Sequence, residues 1–251
     1  MGEEVQLNNS GKISSQAPSA HFNNTITSRA EMVQRFALFS EIPLEDCAKI
    51  VELAHEARFA QGKAIFLAGD PLRQVVLLTS GCVKLTHTSR EGEEVILRLV
   101  APGETLCVEC FPKYTHCATA WAVQRSTALV WETGRFQAVA ERFPSLGRNI
   151  SCVLMKTLRQ LEVRYYEIST EKVAKRLSKQ LLRLLDQVGT DSEGQTEIAL
   201  SQRDLAQMTA TTLFTVNRLL KQWEDEGIVR PRREALLVLN VHALKELSRT
   251  E

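Results

Sequence analysis

The side chains of this chain best suited to bind a ligand lie near its C-terminus, and their chemistry is that of nucleic-acid contact. Arg218 is the strongest single candidate, because a guanidinium fork matches the two acceptors on the major-groove edge of guanine. Lys221 is better placed to reach a phosphate oxygen. The predicted partner is therefore double-stranded DNA, and the elements that carry these cations must present them on one surface.

A helical hairpin from Leu200 to Val229 would provide that surface. Ser201, with Asp204 three residues later, predicts a capped first helix, and Thr212 predicts the cap of a second helix that ends at Gly227. The second helix is predicted to bury one apolar face made of Val216, Leu219, Leu220 and Trp223. Candidate DNA contacts on and beside the opposite face are Arg203, Thr212, Leu213, Phe214, Asn217, Arg218 and Lys221.

The segment from Ile228 to Val238 predicts a β-hairpin with a basic tip, which would complete a winged helix-turn-helix. Arg230, Arg232 and Arg233 suit the phosphate backbone. The strings LSQRDLAQM and TVNRLLKQWEDEGIV, followed by this wing, resemble the family of the cyclic-AMP receptor protein and the fumarate–nitrate reduction regulator (CRP/FNR).

Upstream, short β-rich runs separated by glycines extend that resemblance from about Arg35 onward. Strands are predicted in AIFLA, QVVLLTS, CVKLTHT and EEVILRLV, and their regular spacing favours a small β-roll. The predicted fold class is α+β: a β-roll sensor domain like a cyclic-nucleotide-binding domain, a long dimerisation helix and a winged helix-turn-helix. We place a mobile arm at 1–28, the sensor domain at 29–143, the long helix at 144–169 and the DNA-binding domain at 170–251. Residues 189–196 are predicted to be a polar connecting loop.

The long helix carries apolar residues at spacings of four, three, four and three, which are Leu154, Leu158, Leu161, Tyr165 and Ile168. This pattern is typical of a coiled-coil seam and favours a homodimer, because helix-turn-helix proteins commonly use two-fold symmetry to bind paired half-sites. The alternative is a helix packed on its own β-roll.

The resemblance also implies a place for an effector in the roll. The cyclic-nucleotide branch of the family binds a phosphate with a Gly-Glu pair, a second glycine and an Arg-Ser pair. Gly103 and Glu104 match the first pair, but the second glycine is Leu106 and the Arg-Ser pair is His116-Cys117. Without the fixed positive charge, we expect no cyclic-AMP response. The expected effector pocket contains Gly103, Glu104, His116, Cys117, Leu158, Leu161 and Tyr165.

Other effectors stay open: a small molecule, a gas or a redox signal. Cys107, Cys110 and Cys117 include a C-x-x-C pair, so a metal, an iron–sulfur cluster or thiol oxidation is a candidate. The N-terminal cysteine cluster of the iron–sulfur branch is absent, because the first cysteine is Cys47. His87 and His116 are candidate haem ligands. The cofactor is therefore left unassigned among haem, metal and none.

The DNA-reading helix departs from the family pattern of a Glu, then Thr-Val, a small residue and Arg. Phe214 replaces the Glu and cannot accept a hydrogen bond from cytosine, but it could pack on a thymine methyl. Asn217 suits adenine or a phosphate. We therefore expect a palindromic site that keeps a guanine in each half and differs elsewhere from the usual family sequences.

Composition narrows the remaining function classes. The net charge of the 251 residues is +1, so a DNA site must be a local basic patch. No apolar run approaches the roughly 20 residues of a membrane span, no signal peptide is evident, and six cysteines without an export signal favour the cytoplasm. We find none of the catalytic motifs that indicate an enzyme.

An activator would also contact RNA polymerase. The competing class is a β-roll redox or metal sensor that acts through protein partners.

Overall fold

The chain folds into a β-roll with flanking helices, a long helix and a small C-terminal domain, so the predicted α+β fold class is confirmed. These features come from a computed structural model, which describes residues 19–106, 115–192 and 195–249. The helices are α1 (Ser19–Gln34), α2 (Leu44–Glu52), α3 (Thr133–Arg142), α4 (Pro144–Thr170), α5 (Val173–Val188), α6 (Gln202–Met208), α7 (Leu213–Asp225) and α8 (Val241–Leu247), with a 3₁₀ turn at Ala37–Phe39.

The roll consists of two antiparallel sheets that enclose an apolar core. Its strands are β1 (His55–Phe59), β2 (Ala64–Phe66), β3 (Gln74–Ser80), β4 (Val83–Thr88), β5 (Glu94–Val100), β6 (Thr119–Ala122) and β7 (Ser126–Glu132). One sheet has the order β1-β7-β3 and the other β2-β6-β4-β5. The turn after β5 requires glycine, because Gly103 has φ +88° and a Cβ there would lie 2.7 Å from the Phe36 ring.

The N-terminal helix begins earlier than the sequence suggested. α1 starts at Ser19, so residues 19–28 of the segment predicted as a mobile arm are helical; residues 1–18 lie outside the described residues. Ala30 and Val33 are fully buried, and Ile26 and Met32 pack against the same core. This burial stabilises a helix that the polar composition of the segment did not predict.

The long helix is anchored at its start and exposed along its middle. α4 begins at Pro144, where the missing N–H of proline is not needed for the helix ladder. Leu146 is fully buried, and the Asn149 side chain donates to the carbonyl oxygens of Leu38 (3.0 Å) and Ser40 (2.8 Å). The 3₁₀ turn at Ala37–Phe39 and the core around Leu146 therefore fix the direction of α4 at its start.

The C-terminal domain contains a four-stranded sheet whose order is β10-β11-β9-β8. Its strands are β8 (Thr190–Ser192), β9 (Gln195–Ile198), β10 (Val229–Pro231) and β11 (Leu236–Val238). The prediction of a connecting loop at 189–196 is wrong, because β9 pairs with the edge of β11 and β8 pairs with β9. Within the described ranges, no helix has the length and apolar content needed to cross a lipid bilayer.

Candidate nucleic-acid interface

The second helix of the hairpin, α7, presents a solvent-exposed face at its N-terminal end. Thr212 caps it, since its Oγ1 accepts the N–H of Thr215 at 3.1 Å. The predicted inner face is buried and consists of Val216, Leu219, Leu220 and Trp223. The predicted outer residues are all exposed: Thr212, Leu213, Phe214, Asn217, Arg218 and Lys221.

The two cations on this face have different surroundings. Lys221 lies 3.3 Å from Glu224 and 3.2 Å from Asp225, and the hydrogen bonds that its ammonium donates to these carboxylates, first to Asp225, raise its pKa. Arg218 makes no ion pair within the described part of the chain. Its guanidinium is therefore available to an external ligand, whereas the charge of Lys221 is partly balanced by its own helix.

The wing places three arginines beyond the C-terminal end of α7. Arg230, Arg232 and Arg233 are exposed around the turn between β10 and β11. Arg232 pairs with Glu197 of β9 at 2.9 Å, which ties the wing to the neighbouring strand. Across the described residues, Arg230 and Arg233 have no such ion pair. They are the two wing cations best placed to meet a phosphate backbone.

The first helix of the hairpin, α6, carries the predicted capping box. The N–H of Asp204 donates to Ser201 Oγ, and the N–H of Ser201 donates to Asp204 Oδ2, both at 3.1 Å. Asp204 also forms an ion pair with Lys84 of β4, at 2.8 Å. Arg203 is exposed beside them. The cap of α6 is thus also a contact between the C-terminal domain and the roll.

Electrostatics favour an ionised Asp204 at that contact. Burial would raise the pKa of this carboxyl, but hydrogen bonds from Lys84 and Ser201 and the charge of Lys84 together hold the pKa below its usual value. Nearby, Cys82, Ile96 and Leu99 of the roll belong to the same buried cluster as Leu205 and Met208. An apolar contact between the roll and the C-terminal domain therefore accompanies the ion pair.

Two arginines bind the carbonyl groups at the other end of α6. Arg164 of α4 donates to the Met208 oxygen at 3.1 Å and also to the oxygens of Ile96 and Leu97 on β5. Arg176 of α5 donates to the Thr209 oxygen at 2.7 Å and the Ala210 oxygen at 3.1 Å. The last carbonyls of a helix lack partners within it, so these guanidinium groups act as its C-terminal cap.

The sensor residues do not all converge on one site. Glu104 Oε2 accepts the Ala101 N–H at 3.1 Å, lies 3.8 Å from Arg98 and contacts the Gln187 amide of α5 at 3.4 Å. Leu158, Leu161 and Tyr165 on α4 are 50%, 57% and 73% exposed. The structure thus places Glu104 against α5, while the three α4 residues of the predicted pocket face solvent in the single chain.

His116 and Cys117 lie in contrasting environments. The His116 ring is 6% exposed and stacks on Phe66 with centroids 3.6 Å apart. Burial lowers its pKa, while Asp70 opposes that shift. Its Nδ1 is buried without a hydrogen-bond partner among the described residues. Cys117 is exposed, and His87 is exposed at the end of β4.

The proposed metal set is partly outside the described residues, because Cys107 and Cys110 lie in the gap at 107–114. Within the ranges that the structure describes, no three His, Cys, Asp or Glu side chains group as metal ligands. A cavity of about 580 Å³ lies elsewhere, between α1 and the β1-β7-β3 sheet, where hydroxyl side chains surround an Arg29–Glu56 pair.

The sequence does not indicate which residues position the hairpin, namely Lys84, Arg164 and Arg176. Lys84 lies 120 residues from Asp204 along the chain, so no local spacing relates them. The capping box gave a partial signal, since the carboxylate of Asp204 has more acceptor capacity than the cap itself uses.

Comparison with known proteins identifies the two halves of the molecule separately. A cyclic nucleotide-binding domain model matches residues 56–143, and a Crp-like helix-turn-helix domain model matches residues 175–247. The first match covers the roll with α3. The second covers most of α5 and the winged helix-turn-helix.

Relatives over nearly the whole chain are transcription regulators. The cyclic AMP receptor protein of Thermus thermophilus is 28% identical over 212 residues, which are 84% of this chain and 96% of that protein. A CRP-like cAMP-activated global transcriptional regulator of Mycobacterium tuberculosis is 24% identical over 225 residues, covering 87% of this chain and 99% of that protein.

Solved structures share the fold. FixK2 from Bradyrhizobium japonicum has a TM-score of 0.69 at 20% identity and covers 79% of this chain and 98% of its own. A CRP/FNR-family regulator from Thermus thermophilus has a TM-score of 0.67 at 21% identity, and the match covers 78% of this chain and 99% of that chain. The arrangement of roll, long helix and helix-turn-helix is therefore common to these chains.

Proposed function

Since the chain belongs to the CRP/FNR family of transcription regulators, we propose that it is a homodimeric, effector-responsive regulator that binds a palindromic operator through α7. The observation that carries this proposal is the outer face of α7. Its side chains are exposed at the N-terminal end of the second hairpin helix, the end that reaches base edges when such a helix enters a major groove. Arg218 is the guanine contact, and Arg230 and Arg233 contact phosphates.

The dimer is supported by the exposed apolar side chains of α4. Leu154 packs on the core of its own chain, but Leu158, Leu161, Tyr165 and Ile168 are 41–73% exposed. A second copy of α4 would cover them and would place two α7 helices on the two halves of a palindrome. The expected oligomer is a dimer in solution, and sedimentation equilibrium would measure it.

The effector is proposed to act on the roll and not to be cyclic AMP. At the position where the family pattern has an arginine, His116 is buried on Phe66 with a lowered pKa and is therefore neutral near pH 7. A neutral ring offers a cyclic phosphate no fixed positive charge. Calorimetric titration with cyclic AMP should give no binding heat, and micromolar binding would contradict this part of the proposal.

The DNA proposal is tested by Arg218→Ala on an operator selected in vitro from a random DNA library. We expect a loss of ~1–3 kcal/mol in binding free energy and relaxed selectivity at one base position per half-site. Arg90→Ala is the matched control, because Arg90 is an exposed arginine in the turn between β4 and β5. Equal affinity of the Arg218→Ala variant and the unaltered protein would refute the assignment.

A further inference from the structure

The first turn of α7 exposes two large apolar side chains where DNA-contacting residues are expected. Phe214 is 77% exposed and Leu213 is 40% exposed. Phe214 has the highest exposure of any large apolar side chain within the described residues. Exposing a phenylalanine to this extent forgoes the free energy of burying its ring. Its position on the reading face makes DNA the surface that would cover it.

Helix geometry links Phe214 to the guanine contact. Phe214 and Arg218 are four residues apart on α7, so they are neighbours on one face of the helix. Side chains in a helix also lean toward its N-terminus, which is the end that enters the groove. A groove position next to the one bound by Arg218 therefore meets a phenyl ring, which neither donates nor accepts a conventional hydrogen bond.

The first turn is also held in one conformation. Thr212 Oγ1 accepts the N–H of Thr215, and the two threonine hydroxyls lie 2.9 Å apart in a hydrogen bond with each other. These hydroxyls are thus engaged within the protein on either side of Leu213 and Phe214. Leu213 and Phe214 lie between these two residues and are the large apolar side chains that this turn exposes.

We propose that Phe214, supported by Leu213, specifies a thymine in each half-site by packing on its C5-methyl group. This inference deepens the proposed DNA binding and rests on it. In the major groove, the C5-methyl of thymine is the apolar group on a base edge; cytosine lacks this methyl and presents an N4 amino donor where thymine has the O4 acceptor. The base beside the Arg218 guanine is therefore selected by an apolar contact and not by a hydrogen bond.

The test replaces thymine by uracil at single positions of the selected operator and measures the dissociation constant of the full chain. Uracil keeps the base-pairing edge of thymine and lacks the methyl, so the change isolates the proposed contact. Burying one methyl corresponds to about a fourfold change in affinity, so replacement in both half-sites should weaken binding about sixteenfold. The effect should be confined to one position per half-site, next to the guanine.

Protein variants combined with the same thymine and uracil operators test the contact from the protein side. In Phe214→Ala, thymine and uracil operators should bind equally, while Phe214→Leu should keep part of the preference. Phe214→Glu should shift the preference toward cytosine, whose amino group a carboxylate can accept. The far-ultraviolet circular dichroism of each variant checks that α7 is intact.

The outcomes separate the two proposals. Suppose that an operator is enriched and that its binding depends on Arg218. If it then binds equally well with thymine or uracil at every position, the methyl contact is overturned and the DNA proposal stands. Enrichment of no sequence by the full chain would overturn the DNA proposal and this inference together. A thymine preference that survives in Phe214→Ala would assign the methyl contact to another residue and overturn the role of Phe214.

Discussion

The two helices of the hairpin are adjacent in the chain but have opposite surroundings. Both ends of α6 are bound by other parts of the protein: Lys84 pairs with Asp204 at its start, and Arg164 and Arg176 donate to its last carbonyls. The start of α7 faces solvent with Phe214 and Arg218 exposed. α6 therefore sets the orientation of the hairpin, while the outer face of α7 stays exposed to solvent.

This division has a consequence for the two states of a regulator. The Lys84–Asp204 pair links α6 to β4. Arg164 of α4 links α6 to β5, and Arg176 of α5 binds the carbonyl of Ala210 just after α6. A shift between the roll and the long helix would therefore change the position of α6. Because α7 packs on α6, it would move with it. Changes at the α6 contacts should alter stability and orientation, whereas changes on the outer face of α7 should alter DNA binding alone.

The largest expected change in the free energy of unfolding distinguishes the buried face of α7 from its exposed face. Trp223 is 1% exposed in the core of the C-terminal domain, so Trp223→Ala should lower the free energy of unfolding by ~3–5 kcal/mol. Phe214→Ala, on the outer face of the same helix, should change it by less than about 0.5 kcal/mol. Urea denaturation followed by circular dichroism measures both. A similar loss in the two variants would mean that Phe214 is part of a core.

The next effect concerns the C-terminal cap of α6. Arg176→Ala removes the donors to the carbonyls of Thr209, Ala210 and Glu171 and should cost roughly 1.5–3 kcal/mol, the range for hydrogen bonds to a charged group. Arg176→Lys keeps the charge but not the planar fork, so it should recover part of the loss. The control is Arg203→Ala, an exposed arginine on α6. If Arg203→Ala were as costly as Arg176→Ala, the cap would not explain the loss.

Much of the hairpin could be predicted from the sequence because its signals are local. The capping box of Ser201 and Asp204, the cap at Thr212 and the buried side of α7 depend on residues within one or two helical turns. The same holds for strands β2 to β5, whose β-rich runs are separated by glycine turns.

The rest depends on contacts between distant segments. β8 and β9 have a polar, turn-like sequence, and they form strands because β11 offers an edge with which β9 can pair. Arg164 reaches carbonyls 67 and 68 residues earlier in the chain, a relation that no spacing within α4 encodes. The predicted effector pocket shows the same limit: the family pattern gave Glu104, but not its contact with Gln187, which lies 83 residues away on α5.

The contact between α6 and the roll should depend on pH. The pKa of Asp204 is lowered in the folded protein, so its contribution to stability is present above the unfolded pKa of about 3.9 and is lost as pH falls through the folded pKa. Lys84→Met should therefore cost about 1 kcal/mol at pH 7, and the difference from the unaltered protein should shrink as pH falls below about 4. Urea midpoints at a series of pH values would show this.

A surface pair provides the matched control for that experiment. Lys49 and Asp46 are 2.7 Å apart, a separation like that of Lys84 and Asp204, but the Lys49 side chain is 54% exposed against 22% for Lys84. Lys49→Met should change the free energy of unfolding by less than about 0.5 kcal/mol at any pH, because exposed pairs contribute little. If the two lysine variants lost the same free energy of unfolding at pH 7, the Lys84–Asp204 pair would stabilise the protein no more than an exposed surface pair.

The smallest expected effect lies at the turn that joins the two helices. Ala210 follows the C-terminal end of α6 with φ +48°, and the N–H of Thr211 donates to the Ala206 oxygen at 3.1 Å, as in a Schellman motif that favours glycine. Ala210→Gly should relieve the left-handed strain and raise the free energy of unfolding by roughly 0.5 kcal/mol, after the entropic cost of glycine. Ala206→Gly, the same substitution within α6, should lower it by about 1 kcal/mol. If the melting temperature rises in Ala210→Gly and falls in Ala206→Gly, the backbone at Ala210 is strained. If it falls in both variants, the backbone at Ala210 is not strained.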